Sequence, residues 1–160
     1  MDSGRDKKLF RKQQGSTKRL FIATYNIRTL RTEEHLEELE RKLQHIKWDI
    51  IGVSETRLLG ENKTSLISGH ILYQKNSDVN HHIGGVGFMV NKKIKHAAFK
   101  YHLMSERVIY IIIRLNNRYN MQIINVYAPT SSSENEKLEQ VYKDIATVKQ
   151  REKTHLSIVV

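Results

Sequence analysis

The chain has 160 residues, of which 39% are hydrophobic and none is cysteine, and its formal net charge is +10 at neutral pH. The length suits one domain or part of a larger one, and the hydrophobic content is enough for a real core. Without cysteine there is no disulfide framework, zinc ribbon or thiol nucleophile, so a metal site must use carboxylate, amide or imidazole groups. The charge favours a polyanionic partner, and nucleic acid is preferred to a membrane because no strongly amphipathic basic helix is predicted.

Half of the net charge of the chain lies in residues 1–19, which contain seven Lys and Arg residues and two Asp residues, a balance of +5. Because this segment has almost no apolar content, we predict a basic disordered tail. It contains no signal-type apolar stretch, and the longest apolar run, residues 108–113, is far too short to span a bilayer. These features predict an intracellular protein, nuclear or cytoplasmic, with no membrane partner.

The first predicted unit is strand, helix, strand. LFIATYNI, residues 20–27, predicts a strand with Asn26 near its end, and a helix over residues 32–47 follows. WDIIGVSE, residues 48–55, predicts a strand buried on both faces, with Glu55 at its carboxyl end. The two strands should run parallel, so Asn26 and Glu55 should emerge side by side, at the edge where open α/β sheets bind ligands.

The middle of the chain alternates polar turns with short strands. Residues 60–70 predict a loop, ILYQKN a short strand, and SDVNHHIGG a polar turn before the strand VGFMVN. The glycines around this turn indicate a bulge or tight turn rather than a phosphate cradle, because no helix follows them. His81 and His82 are interpreted as loop residues, since nothing fixes them on one metal.

Three further strands, one helix and a last strand complete the chain. HAAFKYHL, RVIYIIIRL and MQIINVYAP predict strands, and the last two form a hairpin. Tyr127 stands at the end of that hairpin, and Ser133 opens a capping box for a helix over residues 133–150. HLSIVV then predicts a strand that stops at Val160 without a turn, so we expect the domain to be cut off there.

Three strand ends therefore carry Asn26, Glu55 and Tyr127. From the residues alone, Glu55 is a metal ligand, a base, or the partner of Arg57, and packing before a proline turn is the favoured explanation of Tyr127. Together, however, the three positions suggest one site.

The motifs around these strand ends, ATYNIRTL, VSETR and INVYAPT, resemble those of the endonuclease/exonuclease/phosphatase family. The resemblance implies that Asn26 positions the scissile phosphate and that Glu55 is a ligand of Mg²⁺ or Mn²⁺. It implies that Tyr127 lies beside the phosphate and stabilises its charge or orients the attacking water. Arg28 and Arg57 are candidate substrate-binding residues at DNA phosphates, although structural ion pairing stays open for each.

Within that family the chain is similar, over residues 20–160, to the endonuclease domain of LINE-type retrotransposons and to craniofacial development protein 2-like sequences. NIRTL, ETR, GGVGFMV, SERVIYIIIRL and NVYAPT occur in that order. The resemblance implies an α/β fold, a truncated four-layer sandwich with a mixed, mostly antiparallel sheet and two main helices on its outer face. Family members continue past the strand matched by HLSIVV into Gly-Asp-x-Asn and further acidic and histidine ligands. We therefore expect the N-terminal part of the domain, with its inner sheet face partly exposed to a partner or to self-association.

The sequence thus predicts a fragment of a retrotransposon-derived, divalent-metal-dependent DNA endonuclease, with little or no activity as it stands. One alternative is a non-enzymatic remnant that binds nucleic acid or protein. Another is a phosphatase for phosphoinositides or another phosphodiester, because such relatives share the metal motif. The positive charge and the segments NIRTL and GGVGF favour DNA.

Overall fold

The computed structural model describes residues 19–76, 84–129 and 135–160, except for the side chains of Asn62, Lys75 and Asn76. Within these ranges there are nine strands and two helices, arranged in two sheets. The predictions for His81, His82 and the capping residue Ser133, and for all but the last residue of the basic tail, fall outside the described residues.

The first sheet has five strands and includes the predicted parallel pair. Its order is β1-β2-β5-β4-β3, with β1 parallel to β2 and the other pairs antiparallel. Helix α1 connects β1 to β2. The bounds are β1 Ile22–Asn26, α1 Glu33–Leu43, β2 Ile50–Ser54, β3 Gly60–Ser65, β4 Ile71–Asn76 and β5 Val86–Val90.

The second sheet has four strands in the order β6-β7-β8-β9, and only its last pair, β8 with β9, is parallel. Helix α2 connects β8 to β9. The bounds are β6 Ala98–Ser105, β7 Val108–Arg114, β8 Asn120–Val126, α2 Asn135–Arg151 and β9 Leu156–Val159. Neither helix has the length and apolar content needed to cross a bilayer, within the part of the chain that the structure describes.

The two sheets pack face to face and form the core. Ile50 and Phe88 of the first sheet meet Ile109 and Ile111 of the second, and all four side chains are fully buried. Helix α1 covers the outer face of the first sheet, and α2 covers the outer face of the second. The predicted four-layer α/β sandwich is therefore confirmed, with the strands divided between two sheets and one helix on each outer face.

The inner sheet face, expected from the sequence to be partly exposed, is buried where the central strands of the two sheets meet. It stays partly exposed at β9, where Leu156 and Ile158 are the strand neighbours of the inward-facing Met121 and Ile123. Several exposed apolar side chains lie on the edge strands. Tyr25 of β1 is 40% exposed, and Leu156, Ile158 and Val159 of β9 are 37–50% exposed. Because β2 and β8 contact each other across the sandwich, β1 and β9 form one open side of the molecule.

Two local predictions are wrong. Residues 60–65 form β3 rather than a loop, because the backbone pairs antiparallel with β4 and exposed polar side chains suit an edge strand. Helix α1 ends at Leu43 and not at residue 47 as predicted. At this end of the helix, the Leu43 carbonyl accepts a hydrogen bond from the indole Nε1 of Trp48 at 3.2 Å. Ile46, which lies inside the range predicted for this helix, is 53% exposed.

Candidate active site

Three strand ends meet on one carboxylate. Asn26 is the last residue of β1, Glu55 follows β2 directly, and Tyr127 follows β8 of the other sheet. The Asn26 Nδ2 donates to Glu55 Oε1 at 2.8 Å, and the Tyr127 hydroxyl donates to the same oxygen at 2.8 Å. The structure therefore brings together the three residues that the sequence places at strand ends.

The backbone around Glu55 is held in an unusual conformation. Glu55 and Arg57 have φ values of 56° and 54°, in the left-handed region that side-chain-bearing residues rarely adopt. The backbone N–H groups of Thr56 and Arg57 donate to the carbonyls of Gly85 and Gly84, at 3.4 and 2.9 Å. Such strain persists only where surrounding contacts enforce it, and it is concentrated at functional sites.

Arg57 lies beside the second oxygen of the carboxylate. Its Nη2 is 3.5 Å from Glu55 Oε2, and 41% of its side-chain surface is exposed. This contact is long for an ion pair, so it leaves the guanidinium able to contact a ligand as well. The predicted choice between phosphate binding and ion pairing stays open, since the geometry is compatible with both.

Arg28 is placed differently from Arg57. Its backbone N–H donates to Asn26 Oδ1 at 3.1 Å, which helps to orient the Asn26 amide with Nδ2 toward Glu55. The Arg28 side chain lines a groove beside α1 together with Tyr25, His35 and Lys42. Its predicted contact with a substrate phosphate would therefore be made on the α1 side of the site.

The hydrogen bonds at the site influence the charge states of Glu55 and Tyr127. The hydrogen bond from Asn26, followed by that from Tyr127, lowers the pKa of Glu55 below its ordinary value. Burial, and then the hydrogen bond to Glu55, raises the pKa of Tyr127. At neutral pH the site thus holds an ionised carboxylate and a protonated phenol that donates to it.

Arg107, which was not among the residues predicted from the sequence, supports Tyr127. Its Nη1 donates to the Tyr127 carbonyl at 3.2 Å, and its guanidinium lies 5.4 Å from the centre of the Tyr127 ring. The Tyr127 N–H donates to the Arg107 carbonyl at 2.9 Å. The signal for this residue was the predicted hairpin, in which Val108 pairs with Val126 and Arg107 therefore lies opposite Tyr127.

The site fits one carboxylate ligand for a hard divalent cation. Both strong hydrogen bonds fall on Oε1 of Glu55, so Oε2, with its long contact to Arg57, is the oxygen free to bind a metal. No group of three or more potential metal ligands occurs among the described residues. Mg²⁺ usually retains several waters and is often held by one or two carboxylates plus substrate phosphate. Glu55 would therefore suffice as the single protein ligand of a Mg²⁺ ion that is also bound by water and by a substrate phosphate.

The sequence relatives of the chain include the same protein from two organisms. No family model matches the chain. Over 125 residues, 78% of the chain, it is 27% identical to craniofacial development protein 2 of Bos taurus and covers 20% of that protein. It is 26% identical over the same length to craniofacial development protein 2 of Tragulus javanicus and covers 21% of it. The chain therefore spans about a fifth of these relatives.

Several solved structures share the fold. The catalytic domain of Xenopus laevis APE2 has a TM-score of 0.58 and 16% identity, over 86% of this chain and 56% of that one. The 3'-5' exonuclease NExo from Neisseria Meningitidis has a TM-score of 0.57 and 17% identity, over 81% and 52%. The AP endonuclease LMAP from Leishmania major has a TM-score of 0.56 and 14% identity, over 80% and 46%. The resemblance predicted from the sequence is thus confirmed: the chain has the endonuclease/exonuclease/phosphatase fold and is similar in sequence to craniofacial development protein 2.

Proposed function

We propose that the chain derives from a divalent-metal-dependent DNA endonuclease and contains the phosphate-binding part of its active site. The observation that carries this proposal is the convergence of Asn26 and Tyr127 on Glu55, at strand ends of both sheets. The fold supports it, because the similar structures include a 3'-5' exonuclease and an AP endonuclease. The origin from a LINE-type retrotransposon depends on the sequence motifs.

Each residue has a role in this proposal. Glu55 would hold Mg²⁺ or Mn²⁺ through Oε2, and the ion, when bound, would supply positive charge to a phosphate. Asn26 would donate its second amide hydrogen to an oxygen of the scissile phosphate, whereas Tyr127, whose one hydroxyl hydrogen is bonded to Glu55, would have to turn from Glu55 to donate to that phosphate. Donors held at a phosphate stabilise charge that develops during hydrolysis. Arg28 and Arg57 would contact neighbouring phosphates of the DNA.

We further propose that these 160 residues have little or no hydrolytic activity. The groups that contact the Glu55 carboxylate, namely the Asn26 amide, the Tyr127 hydroxyl and the Arg57 guanidinium, are hydrogen-bond donors at neutral pH rather than bases. A base that takes the proton of the attacking water typically contributes about 10²–10⁴-fold in rate. Since the chain covers 46–56% of the similar structures, we propose that residues 20–160 are the N-terminal part of a larger domain that contains the base.

A nicking assay tests the catalytic part of the proposal. Supercoiled plasmid is incubated with Mg²⁺ and either the wild-type chain, Glu55→Ala or Glu136→Ala, which removes an exposed carboxylate of α2. We expect slow nicking or none with the wild type, and any nicking should be abolished in Glu55→Ala and kept in Glu136→Ala. Nicking that survives Glu55→Ala contradicts the assigned role of Glu55, and nicking as fast as that of a complete enzyme of this fold contradicts the low activity.

Non-enzymatic binding of nucleic acid is the second candidate. It is favoured by the net charge of +10 and by the small number of metal ligands around Glu55 in the described ranges. DNA binding that is the same in wild type and Glu55→Ala, with and without Mg²⁺, and no nicking under any condition would support it. Phosphate release from phosphoinositide vesicles by the wild type but not by Glu55→Ala would instead favour the lipid phosphatase alternative.

A further inference from the structure

Asn125 is a polar side chain inside the apolar layer between the two sheets. It lies in β8 and is only 2% exposed. Its Nδ2 donates to the carbonyl of Val53 in β2 at 2.9 Å and to the carbonyl of Gly87 in β5 at 3.1 Å. One amide group of the second sheet is therefore bound to two neighbouring strands of the first.

This link lies directly below the candidate active site. Asn125 precedes Tyr127 by two residues on the same chain segment, and its acceptor Val53 precedes Glu55 by two residues. Residues two apart in extended backbone point to the same face, so the side chains of Asn125 in β8 and of Tyr127 directly after it both point toward the first sheet. The contact of 2.8 Å between Tyr127 and Glu55 crosses from one sheet to the other, and it depends on how far apart the sheets are at this level.

The sequence makes room for this close approach at Gly52. A Cβ added to Gly52 would lie 2.6 Å from Oδ1 of Asn125, a distance that real Cβ atoms essentially never show. Apolar contacts elsewhere in the layer, such as those of Phe88 and Ile111, are not directional. A hydrogen bond is directional and has a narrow distance range, so the Asn125 amide can define a spacing that apolar packing leaves loose.

We propose that Asn125 is a positioning residue, which fixes the spacing and register of the two sheets beneath the site so that Tyr127 reaches Glu55. The hydroxyl of Tyr127 and the carboxylate of Glu55 come from different sheets, and Asn125 provides the nearest directional link between those sheets in the described chain. The relevance of this positioning to metal binding rests on the proposed function, whereas the geometric claim does not.

The test compares two buried amides of the same strand. Asn125→Ala removes the link between the sheets. Gln122→Ala is the matched control, because Gln122 is also fully buried in β8 but donates to the Val148 carbonyl of α2 at 3.3 Å, on the opposite face. The readout is the ¹³C signal of the Glu55 carboxylate at fixed neutral pH, and Tyr127→Phe supplies the reference for the absence of one hydrogen bond.

We expect Asn125→Ala to move the Glu55 signal in the same direction as Tyr127→Phe does. Amide exchange of Thr56 and Arg57, whose N–H groups bond to the β5 side of the site, should accelerate in the same variant. Gln122→Ala should lower the melting temperature and leave the Glu55 signal unchanged. An unchanged signal in Asn125→Ala, or an equal movement in Gln122→Ala, overturns the proposal.

A second variant separates hydrogen bonding from packing and guards against poor folding of Asn125→Ala. In Gly52→Ala/Asn125→Ala, the new methyl group at position 52 occupies space that the Asn125 side chain vacates, while both hydrogen bonds remain absent. If Asn125 positions the site through its hydrogen bonds, the Glu55 signal stays displaced even when the melting temperature recovers. A return of the signal to its wild-type position would show that packing sets the geometry, and would overturn the proposal.

Titration with Mg²⁺ alone connects this inference to the proposed function. If the wild type binds Mg²⁺ at Glu55, Asn125→Ala should weaken that binding by about tenfold, the lower end for residues that orient a ligand. An unchanged affinity would overturn the role of Asn125 in the metal site. If the wild type does not bind Mg²⁺, the proposed function fails on that point, and the carboxylate signal still decides the geometric claim.

Discussion

Glu55 is an ionised carboxylate held by donors from both sheets, and this makes its contribution to stability depend on pH. Its pKa is lowered from the ordinary value of 4.5, mainly by Asn26 and then by Tyr127. A lowered folded-state pKa stabilises the protein above the unfolded-state pKa, and this stabilisation disappears as the pH falls through the folded-state value.

We therefore expect the difference in unfolding free energy between wild type and Glu55→Gln to be greatest near pH 7, at about 1 kcal/mol, the usual net value for a hydrogen bond. The difference should shrink as the pH is lowered below 4.5. Urea denaturation of both proteins, from neutral pH down to strongly acidic pH, measures it. A difference that is constant over this range would contradict the assignment of an ionised, hydrogen-bonded Glu55.

Arg107 offers a second prediction at the residue level. Its side chain is 19% exposed, donates to the Tyr127 carbonyl and lies over the Tyr127 ring. Arg107→Ala should cost about 1–2 kcal/mol of stability, from one charge-assisted hydrogen bond and one cation–π contact. Arg107→Lys should recover only part of this, because lysine lacks the planar guanidinium that can do both. Arg118→Ala, in the exposed β7–β8 turn, is the control and should leave the melting temperature unchanged.

At the level of elements, regular periodicity made the first unit predictable. Strand β1, helix α1 and strand β2 were predicted with the correct parallel pairing, and this placed Asn26 beside Glu55. Strand β3 was missed because it is held by backbone pairing to β4, while its side chains are polar like those of a loop. Which strands belong to which of the two sheets was not readable either, since a strand that is apolar on both faces does not specify its partners.

The meeting of Asn26, Glu55 and Tyr127 was predicted from their positions at the ends of strands. Asn26 is the last residue of a strand, and Glu55 and Tyr127 directly follow theirs. These positions suggested one site, and the resemblance to a family then gave each residue a role. Arg107 was not predicted although it lies opposite Tyr127 in the predicted hairpin, because the sequence pattern did not specify the register of that hairpin. Asn125 was not predicted because its acceptors are 72 and 38 residues distant in the chain and belong to the other sheet. Such contacts follow from the sheet-to-sheet packing and have no local pattern in the sequence.

Strand β9 is the element most exposed to association with another chain. It is the edge of the second sheet, it pairs only with β8 among the described strands, and Leu156, Ile158 and Val159 are partly exposed. Unprotected edge strands recruit other strands, and a lysine on the edge discourages this. We expect Ile158→Lys to reduce any concentration-dependent self-association in sedimentation velocity, with Lys149→Glu on α2 as a control for charge change. A wild-type chain that is monomeric at all concentrations would contradict this role for β9.

The net charge of the whole molecule is divided equally between the first 19 residues and the rest of the chain. Residues 1–19 have a balance of +5, which leaves +5 of the total of +10 for residues 20–160. Near the candidate site, Arg28, Arg57 and Arg107 provide positive charge. Because phosphate contacts release counterions, the number of cations that engage DNA can be read from the dependence of affinity on salt.

We predict that the basic segment at the start of the chain dominates binding to DNA. Deletion of residues 1–19 should remove most of the affinity for duplex DNA and should reduce the slope of log affinity against log salt by about 0.9 for each phosphate that is no longer neutralised. Fluorescence anisotropy with a labelled duplex, between low and physiological salt, measures both. A chain of unchanged length whose seven Lys and Arg residues in this segment are replaced by Gln should behave like the deletion, because charge rather than length is responsible. If both variants bind as tightly as the wild type and with the same salt dependence, DNA is bound by the folded part, and Arg57→Ala should then weaken it instead.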